Sequence, residues 1–339
     1  MRAMVLKEPG LLIQEDRERA AARHGETLVR VRRSGICGTD LKIYNGAISV
    51  GYPLVMGHEA VGEVVAGNGN GGGGRITGRV IVDPAYFCAD CFHCRAGQMH
   101  LCPNGGLIGR DRDGGFADYV AVPRRNVHAL PDEIGDDEAP LIQVLTTCLH
   151  GHRKVDIFPG EAVVVLGLGV TGQLHIQLAK ARGAHPVIGI TRSAWKRELA
   201  ERLGADLTAP PGADAKAMIL AATGGRGADL VIESVGQVAT LAQAIEMTRT
   251  GGRLLPFGII SEKEGALPFY DLYFKELEIV NSRVAKSRDF PACIDLVQRG
   301  VVKLKPLISH TLPVDDLAGA LAMLADENSN SMKIIMAHA

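Results

Sequence analysis

Four cysteines lie close together in the first third of the chain, at a spacing suited to metal binding. They are Cys88, Cys91, Cys94 and Cys102, which form the pattern C-x2-C-x2-C-x7-C. Zinc(II) accepts four thiolates in a tetrahedron at about 2.3 Å, so one short loop can supply every ligand. Because such a site leaves no open coordination position, we expect it to stabilise a lobe of the protein and to do no chemistry.

Two further segments combine glycine with a metal-binding side chain. Cys37 lies in Gly35-Ile-Cys37-Gly-Thr39-Asp40, and His58 and Glu59 follow Gly57. Taken alone, Cys37 is typical of a buried core thiol and His58 of a hydrogen-bonded polar residue. Their chemistry depends on whether the fold brings the two segments together.

A glycine-rich turn follows an apolar run and precedes a segment with helical spacing. It reads Gly167-Leu-Gly169-Val-Thr-Gly172, the pattern G-x-G-x-x-G. In this context the first glycine permits a tight turn, the second lets the backbone approach a pyrophosphate, and the third allows close packing of helix on strand. The NH groups at the helix start then face the anion. The predicted dinucleotide-binding residues are Gly167, Gly169, Val170, Thr171 and Gly172.

The end of the next predicted strand bears on the choice of dinucleotide. An NAD site presents Asp or Glu there to the ribose 2′-hydroxyl, but this chain has Thr191, Arg192 and Ser193. Arginine binds a 2′-phosphate through charge-assisted hydrogen bonds, and the two hydroxyls add to them. The sequence therefore favours NADP and leaves NAD as the alternative.

Two sequence patterns surround these residues, and 339 residues exceed what one core usually serves. Between residues 27 and 150, β-branched runs alternate with glycine- and proline-containing turns, which predicts a mostly β, barrel-like region. From about residue 159, apolar strands alternate with helical segments, which predicts a doubly wound α/β domain with a parallel sheet. The stretch at 332–336 is predicted to pair back onto the first domain, and the glycine tract at 67–74 to form a mobile surface loop.

In combination, these motifs resemble the zinc-dependent medium-chain dehydrogenase/reductase family, the alcohol and polyol dehydrogenases. Several independent motifs occur in the family's order, and the likeness runs nearly end to end, including Gly114-Gly-Phe-Ala-Asp-Tyr-Val and Tyr273-Phe-Lys-Glu-Leu. The resemblance implies a GroES-like, mostly β catalytic zinc domain at residues 1–150 and 286–339. It implies a Rossmann dinucleotide-binding domain at residues 151–285.

The resemblance also implies that Cys37 and His58 are ligands of a catalytic zinc. The third ligand stays open, because the family's polyol branch has an acidic residue where this chain has Gln143. Either Gln143 coordinates through its amide oxygen, or Glu59 takes the position and Gln143 only forms hydrogen bonds. Cys148 and His150 are the third choice, because their offset does not match the family position. The family further places Thr39 beside the reacting oxygen, as the first acceptor of its proton.

Together these features predict a zinc-dependent oxidoreductase with two zinc ions per subunit. It would move a hydride between NADP or NAD and a secondary alcohol, with polyols, sugars and cyclitols as candidates, because metal binding acidifies a hydroxyl and an alkoxide releases hydride readily. One alternative is a nonenzymatic NADPH-binding sensor or structural protein, which the departure at Gln143 favours. Another is a zinc-independent enone or quinone reductase, against which the cysteine pattern argues.

Composition limits the partners. Lys and Arg total 37 against 38 acidic residues, so no excess of positive charge attracts nucleic acid or anionic lipid. The N-terminus lacks the apolar run of a signal peptide, and no 18 apolar residues follow one another. We expect a cytoplasmic protein whose partner is a small alcohol or ketone, with neither nucleic acid nor membrane bound. The family resemblance implies a homodimer or homotetramer.

Overall fold

The computed structural model describes residues 1–66, 76–326 and 328–339, so the glycine tract predicted as a loop lies outside the described residues. The chain divides into two compact units. The first comprises Met1–Thr146, Ala285–Gln298 and Leu304–Ala339, and the second comprises Thr147–Val284 and Arg299–Lys303. None of the helices in the described part of the chain is long and apolar enough to cross a bilayer.

Strands and helices are numbered in chain order. The strands are β1 (Arg2–Glu8), β2 (Leu11–Asp16), β3 (Glu26–Gly35), β4 (Leu54–Val55), β5 (Glu59–Ala66), β6 (Gly78–Val82), β7 (Ala85–Tyr86), β8 (Gly106–Leu107), β9 (Tyr119–Pro123), β10 (Val127–Ala129), β11 (Val163–Leu166), β12 (Val187–Ile190), β13 (Leu207–Ala209), β14 (Ala228–Glu233), β15 (Thr248–Pro256), β16 (Glu278–Ile279), β17 (Ile308–Pro313) and β18 (Lys333–Ala337). The helices are α1 (Gly38–Tyr44), α2 (Phe92–Arg95), α3 (Leu141–His152), α4 (Val170–Ala181), α5 (Ala194–Arg202), α6 (Ala213–Ala222), α7 (Val238–Met247), α8 (Phe269–Phe274), α9 (Asp289–Gln298) and α10 (Leu317–Ala325).

The first unit is mostly β, as the alternating apolar runs predict. Its main sheet has the order β10-β6-β5-β3-β18-β17, and β9 also pairs with β3. One apolar cluster, which includes Val29, Val80 and Val120, packs against this sheet's strands, and a second cluster surrounds β1, β4 and α10. The predicted return of the C-terminal segment is confirmed, because β18 pairs antiparallel with β3 and places Ile335 opposite Gly35.

The register of three strands positions the residues of chemical interest in this unit. Gly35, at the end of β3, lies opposite Glu59, at the start of β5. Cys37 lies two residues beyond the end of β3, so it comes next to His58 and Glu59 although about 20 residues separate them. On the other side of β3, Ile36 donates a backbone hydrogen bond to the carbonyl of Ile334 in β18, at 3.0 Å.

The second unit is the predicted doubly wound α/β domain. Six strands in the order β13-β12-β11-β14-β15-β16 all pair in parallel. Alternate residues of each strand face opposite sides of the sheet. Val163 and Val165 accordingly pack with α4 and α5, whereas Val164 and Leu166 pack with α6 and α7.

Five strands of this sheet are predicted by the apolar runs at 162–166, 186–190, 230–233, 253–257 and 277–280, but neither β13 nor α6 is predicted. Strand β13 has only three residues and an exposed Leu207, so it lacks the apolar run that marks its neighbours. In α6 the apolar residues do not concentrate on one face, and only Ala215 and Ile219 are buried. Their positions are set by pairing and packing in the folded sheet.

Candidate active site and metal centres

The four cysteines predicted to hold a structural metal come together at one point. All four sulfur atoms lie within 4.8 Å of one another. The Sγ atom of Cys88 lies 3.5 Å from that of Cys102 and 4.0 Å from that of Cys94, and Cys91 lies 3.8 Å from Cys102. These separations match the edges of a tetrahedron of thiolates around one ion, since ligands at about 2.3 Å stand nearly 4 Å apart.

Backbone donors favour the thiolate form of Cys88 in this cluster. The N–H groups of Asp90 and Cys91 bond to Cys88 and lower the pKa of its thiol to about 6, so this sulfur ionises readily. The turn that brings these donors inward places Ala89 at a φ of 67°, a left-handed conformation that is uncommon for a residue other than glycine. A cation that accepts soft, anionic ligands therefore fits the cluster.

Cys37, His58 and Glu59 form a second group of candidate ligands. One donor atom from each lies within 4.8 Å of the other two. Glu59 is fully buried and His58 is 8% exposed, so the group is shielded from bulk water. Three donors of sulfur, nitrogen and oxygen type are what an open zinc site requires, and the geometry fits such an ion.

Asp40 supports this second group from α1. Its Oδ2 accepts a hydrogen bond from the Cys37 backbone at 2.8 Å, and its Oδ1 lies 3.4 Å from Nδ1 of His58. Burial lowers the pKa of His58, but the Asp40 carboxylate and the Cys37 sulfur outweigh burial and raise it well above the ordinary value in the metal-free chain. A carboxylate at Nδ1 orients the ring and leaves Nε2 for a metal. Asp40 therefore both holds the turn after Cys37 and contacts His58.

Lys333 is the functional neighbour that sequence analysis missed. Its Nζ lies 2.9 Å from Oε1 and 2.8 Å from Oε2 of Glu59, and it also donates to the carbonyl of Ile36 at 3.0 Å. Burial lowers the pKa of Lys333, but the charges of Glu59 and Cys37 raise it above the ordinary value, so the ammonium persists. The one available signal was a lysine in an otherwise apolar terminal strand, which is costly to bury without a partner.

Thr39 and Gln143 occupy different surroundings. The Cys37 thiol lies 3.8 Å from the hydroxyl oxygen of Thr39, so this hydroxyl adjoins the second group. Gln143 is buried near the start of α3, where its backbone carbonyl accepts a hydrogen bond from the Thr146 hydroxyl at 2.6 Å. The coordinating role of Gln143 stays a prediction.

The glycine-rich turn adopts a conformation that depends on two of its glycines. Gly167 has a φ of 86°, and a Cβ on Gly172 would lie 1.9 Å from the Gly167 carbonyl oxygen. Gly172 therefore packs against the turn itself, where the sequence predicted helix-to-strand packing. A Cβ on Gly169 would meet no atom within 4 Å, which leaves space at the start of α4. Val170 and Thr171 form the first helical positions, whose N–H groups have no partner within the helix.

The chain after β12 carries the residues predicted to select the dinucleotide. Arg197 donates to the backbone carbonyls of Thr191 and Arg192, both at 2.8 Å, and so holds this connection against α5. Ser193 is the residue that precedes α5. No carboxylate occupies these three positions, which matches the sequence argument about a 2′-phosphate.

A parallel sheet with a G-x-G-x-x-G turn, combined with an open group of thiolate, imidazole and carboxylate, defines a metal- and dinucleotide-dependent oxidoreductase. Comparison with known proteins gives the family. The zinc-binding dehydrogenase family matches residues 170–299, and the alcohol dehydrogenase GroES-like domain family matches residues 23–132.

Named relatives align over almost the whole chain. The 2-dehydro-3-deoxy-L-galactonate 5-dehydrogenase of Pseudoalteromonas atlantica is 34% identical over 319 residues, which cover 93% of this chain and 92% of that protein. The L-galactonate-5-dehydrogenase of Escherichia coli is 32% identical and covers 94% and 93%. A Sinorhizobium meliloti protein described as a zinc-binding dehydrogenase, solved with NADP, has 31% identity and a TM-score of 0.91 over 99% of this chain and 98% of its own.

This chain therefore belongs to the zinc-dependent medium-chain dehydrogenase/reductase family. It is an NAD(P)-dependent, zinc-dependent alcohol oxidoreductase, as the motifs predicted, with a GroES-like domain and a Rossmann-type domain. Membership of this zinc-dependent enzyme family argues against both alternatives, the zinc-independent reductase and the protein without catalytic activity.

Proposed function

We propose that the enzyme oxidises a secondary hydroxyl of a polyol, a sugar or a sugar acid, or reduces the corresponding ketone. The main observation that supports this proposal is the group formed by Cys37, His58 and Glu59, whose donor atoms lie within 4.8 Å of one another. The relatives' names, which refer to galactonate and sorbitol, support a polyhydroxylated substrate. We assign this chemistry to the domain of residues 1–150 and 286–339.

In this proposal the chain's own residues position the reacting hydroxyl and its proton. A zinc ion held by Cys37, His58 and Glu59 would polarise the substrate oxygen as a Lewis acid. Asp40 orients His58, and the Thr39 hydroxyl accepts the proton that the substrate releases while it passes its own hydroxyl proton on toward solvent. Gln143 is the alternative third donor. The four thiolates of Cys88, Cys91, Cys94 and Cys102 hold a second ion that stabilises their lobe.

NADP is the proposed hydride acceptor. Its pyrophosphate would bind at the turn of Gly167, Gly169 and Gly172 and at the N-terminus of α4, within the domain of residues 151–285. Arg192 would bind the 2′-phosphate, with the hydroxyls of Thr191 and Ser193 beside it in sequence. NAD remains the alternative, because family members are known with either nucleotide.

We also propose a cytoplasmic homo-oligomer. Four reduced thiolates are typical of a reducing compartment. The near-zero net charge provides no electrostatic attraction for nucleic acid or for an anionic membrane. In the second unit, α8 exposes Phe269, Tyr270, Tyr273 and Phe274, each by 60% or more. Exposed aromatic patches of this kind mark protein contacts, which supports association of two or four copies.

The test combines metal analysis with turnover. Zinc-loaded protein should contain two zinc ions per chain, one for each group of ligands, and should oxidise members of a polyol and sugar-acid panel with NADP. Cys37→Ala should lose one zinc and all measurable turnover while NADPH still binds. Cys293→Ala, a buried cysteine outside both groups, is the matched control and should keep both ions.

Two outcomes would contradict this function. One is a wild-type protein that holds a single zinc, confined to the four-cysteine cluster, even after reconstitution. The other is undiminished turnover in Cys37→Ala.

A further inference from the structure

The ammonium of Lys333 is fully committed to the second metal-binding group. A lysine ammonium has three N–H donors, and here two bond to the oxygens of Glu59 and the third to the carbonyl of Ile36. Ile36 directly precedes Cys37 in the chain. One cation therefore ties the carboxylate on β5 to the segment that carries the thiol.

The position of the ammonium relative to Glu59 is the informative feature. Its Nζ lies at nearly equal distances from the two carboxylate oxygens, 2.9 Å and 2.8 Å. It therefore lies between the two carboxylate oxygens, in the position that a metal ion chelated by both oxygens would take. An ion can reach Glu59 only through a remaining outer lone pair of one oxygen.

The backbone is built to keep the carboxylate in this place. A Cβ on Gly35 would lie 2.0 Å from Oε2 of Glu59, so only glycine leaves room for this oxygen. Gly35 faces Glu59 across the β3–β5 pair, and β18 delivers Lys333 from the other side of β3. Three adjacent strands thus determine where the charge pair lies.

We propose that Lys333 is a positioning residue of the metal centre, which prevents Glu59 from chelating the metal through both oxygens and so keeps a coordination position open for substrate. This inference rests on the proposed function, because it takes Cys37, His58 and Glu59 as the donors. Lys333 does not touch the substrate. It acts through the carboxylate that it restrains.

Cobalt(II) substitution provides the test, because its visible spectrum reports the number and type of ligands. In Lys333→Met the position between the two carboxylate oxygens becomes free, so the metal should gain the second Glu59 oxygen as a ligand. We expect a changed cobalt spectrum and a kcat about 10- to 100-fold lower, with metal content retained. Lys333→Arg, whose guanidinium can also bond both oxygens, should keep the wild-type spectrum.

Two further variants isolate the effect. Lys180 binds both oxygens of Asp206 at 2.8 and 2.9 Å in the second unit, with both side chains partly exposed. Lys180→Met therefore removes an ion pair of the same bidentate geometry, far in sequence from any proposed metal ligand, and should leave the spectrum unchanged. In a Glu59→Gln background, adding Lys333→Met should produce no further spectral change. The double variant buries no unpaired charge, so it should fold even if Lys333→Met alone does not. In that case Lys333→Gln replaces Lys333→Met as the single variant.

A wild-type spectrum in Lys333→Met, or an equal spectral change with and without Glu59, would overturn this inference. Failure of the proposed function looks different. In that case the cobalt spectrum of the wild-type protein would already be identical to that of Cys37→Ala.

Discussion

At the scale of single residues, the second metal-binding group depends on charges that stabilise one another inside the first unit. Glu59 and Lys333 are both almost fully buried, and removing one partner of such a pair typically costs about 3–5 kcal/mol because the other charge stays unpaired. Asp40 has a similar relation to His58. These contacts explain how acidic and basic side chains persist at buried positions.

Arg192 gives the sharpest prediction about the dinucleotide. If its guanidinium binds the 2′-phosphate, Arg192→Ala should lower kcat/KM for NADP by about 10- to 100-fold, the equivalent of a lost hydrogen bond to a charged group. The value for NAD should hardly change. Steady-state assays with both nucleotides measure this, and Arg202→Ala, an exposed arginine at the end of α5, is the control. Equal losses for the two nucleotides would exclude a 2′-phosphate contact.

At the scale of elements, the connection from β11 to α4 shows that glycines of one motif have separate tasks. Gly172 is needed because a Cβ there would clash with the Gly167 carbonyl oxygen at 1.9 Å. Gly169 has open space around it and contributes nothing to protein packing. We expect its role to be toward the nucleotide.

This difference can be measured in the absence and presence of nucleotide. Gly172→Ala should lower the free energy of unfolding of the nucleotide-free protein by about 1–3 kcal/mol, as overpacking does. Gly169→Ala should leave unfolding within about 0.5 kcal/mol of wild type but weaken NADPH binding, because its Cβ would stand where the pyrophosphate approaches. Urea unfolding and equilibrium binding report the two effects. Unchanged NADPH affinity in Gly169→Ala would place the pyrophosphate elsewhere.

At the scale of the whole molecule, buried and half-buried histidines link stability to pH in both units. Burial lowers the pKa of His128 and His338 to about 4 in the first unit, and lowers that of His175 to about 3 and of His152 well below its ordinary value in the second. Their folded-state pKa values lie below the unfolded value near 6.5, so the unfolded chain binds protons first as the pH falls. The stability that depends on these four histidines is therefore complete above about pH 6.5 and declines below it, whereas His58, whose pKa is raised in the metal-free chain, contributes in the opposite direction. Asp83, whose pKa burial raises to about 6, opposes part of this loss.

His128 offers a test of this acid sensitivity. It stacks on Phe290 with ring centroids 4.6 Å apart, so His128→Phe keeps an aromatic ring at the site. Between pH 7.5 and 5.5 the wild type should lose about 1 kcal/mol more than the variant, which lacks this titration. Urea unfolding at the two pH values gives the comparison, with His24→Phe at an exposed position as control. The same pH dependence in His128→Phe and wild type would refute this contribution.

The sequence by itself determined the features that depend on local pattern. The spacing of four cysteines, the glycines of one turn and the apolar runs of the strands each lie within a short segment, and periodicity and ligand chemistry act over that range. Strands without an apolar run, such as β13, were not predicted, because they carry no such local pattern.

The tertiary structure alone determined the contacts between distant segments. Glu59 and Lys333 are 274 positions apart in the chain, and only the pairing of β18 and β5 with β3 makes them neighbours. The approach of Asp40 to His58 likewise follows from the position of α1 after β3. A shift of one residue in any of these strand registers would turn the side chains to the opposite face, so no local pattern contains this information.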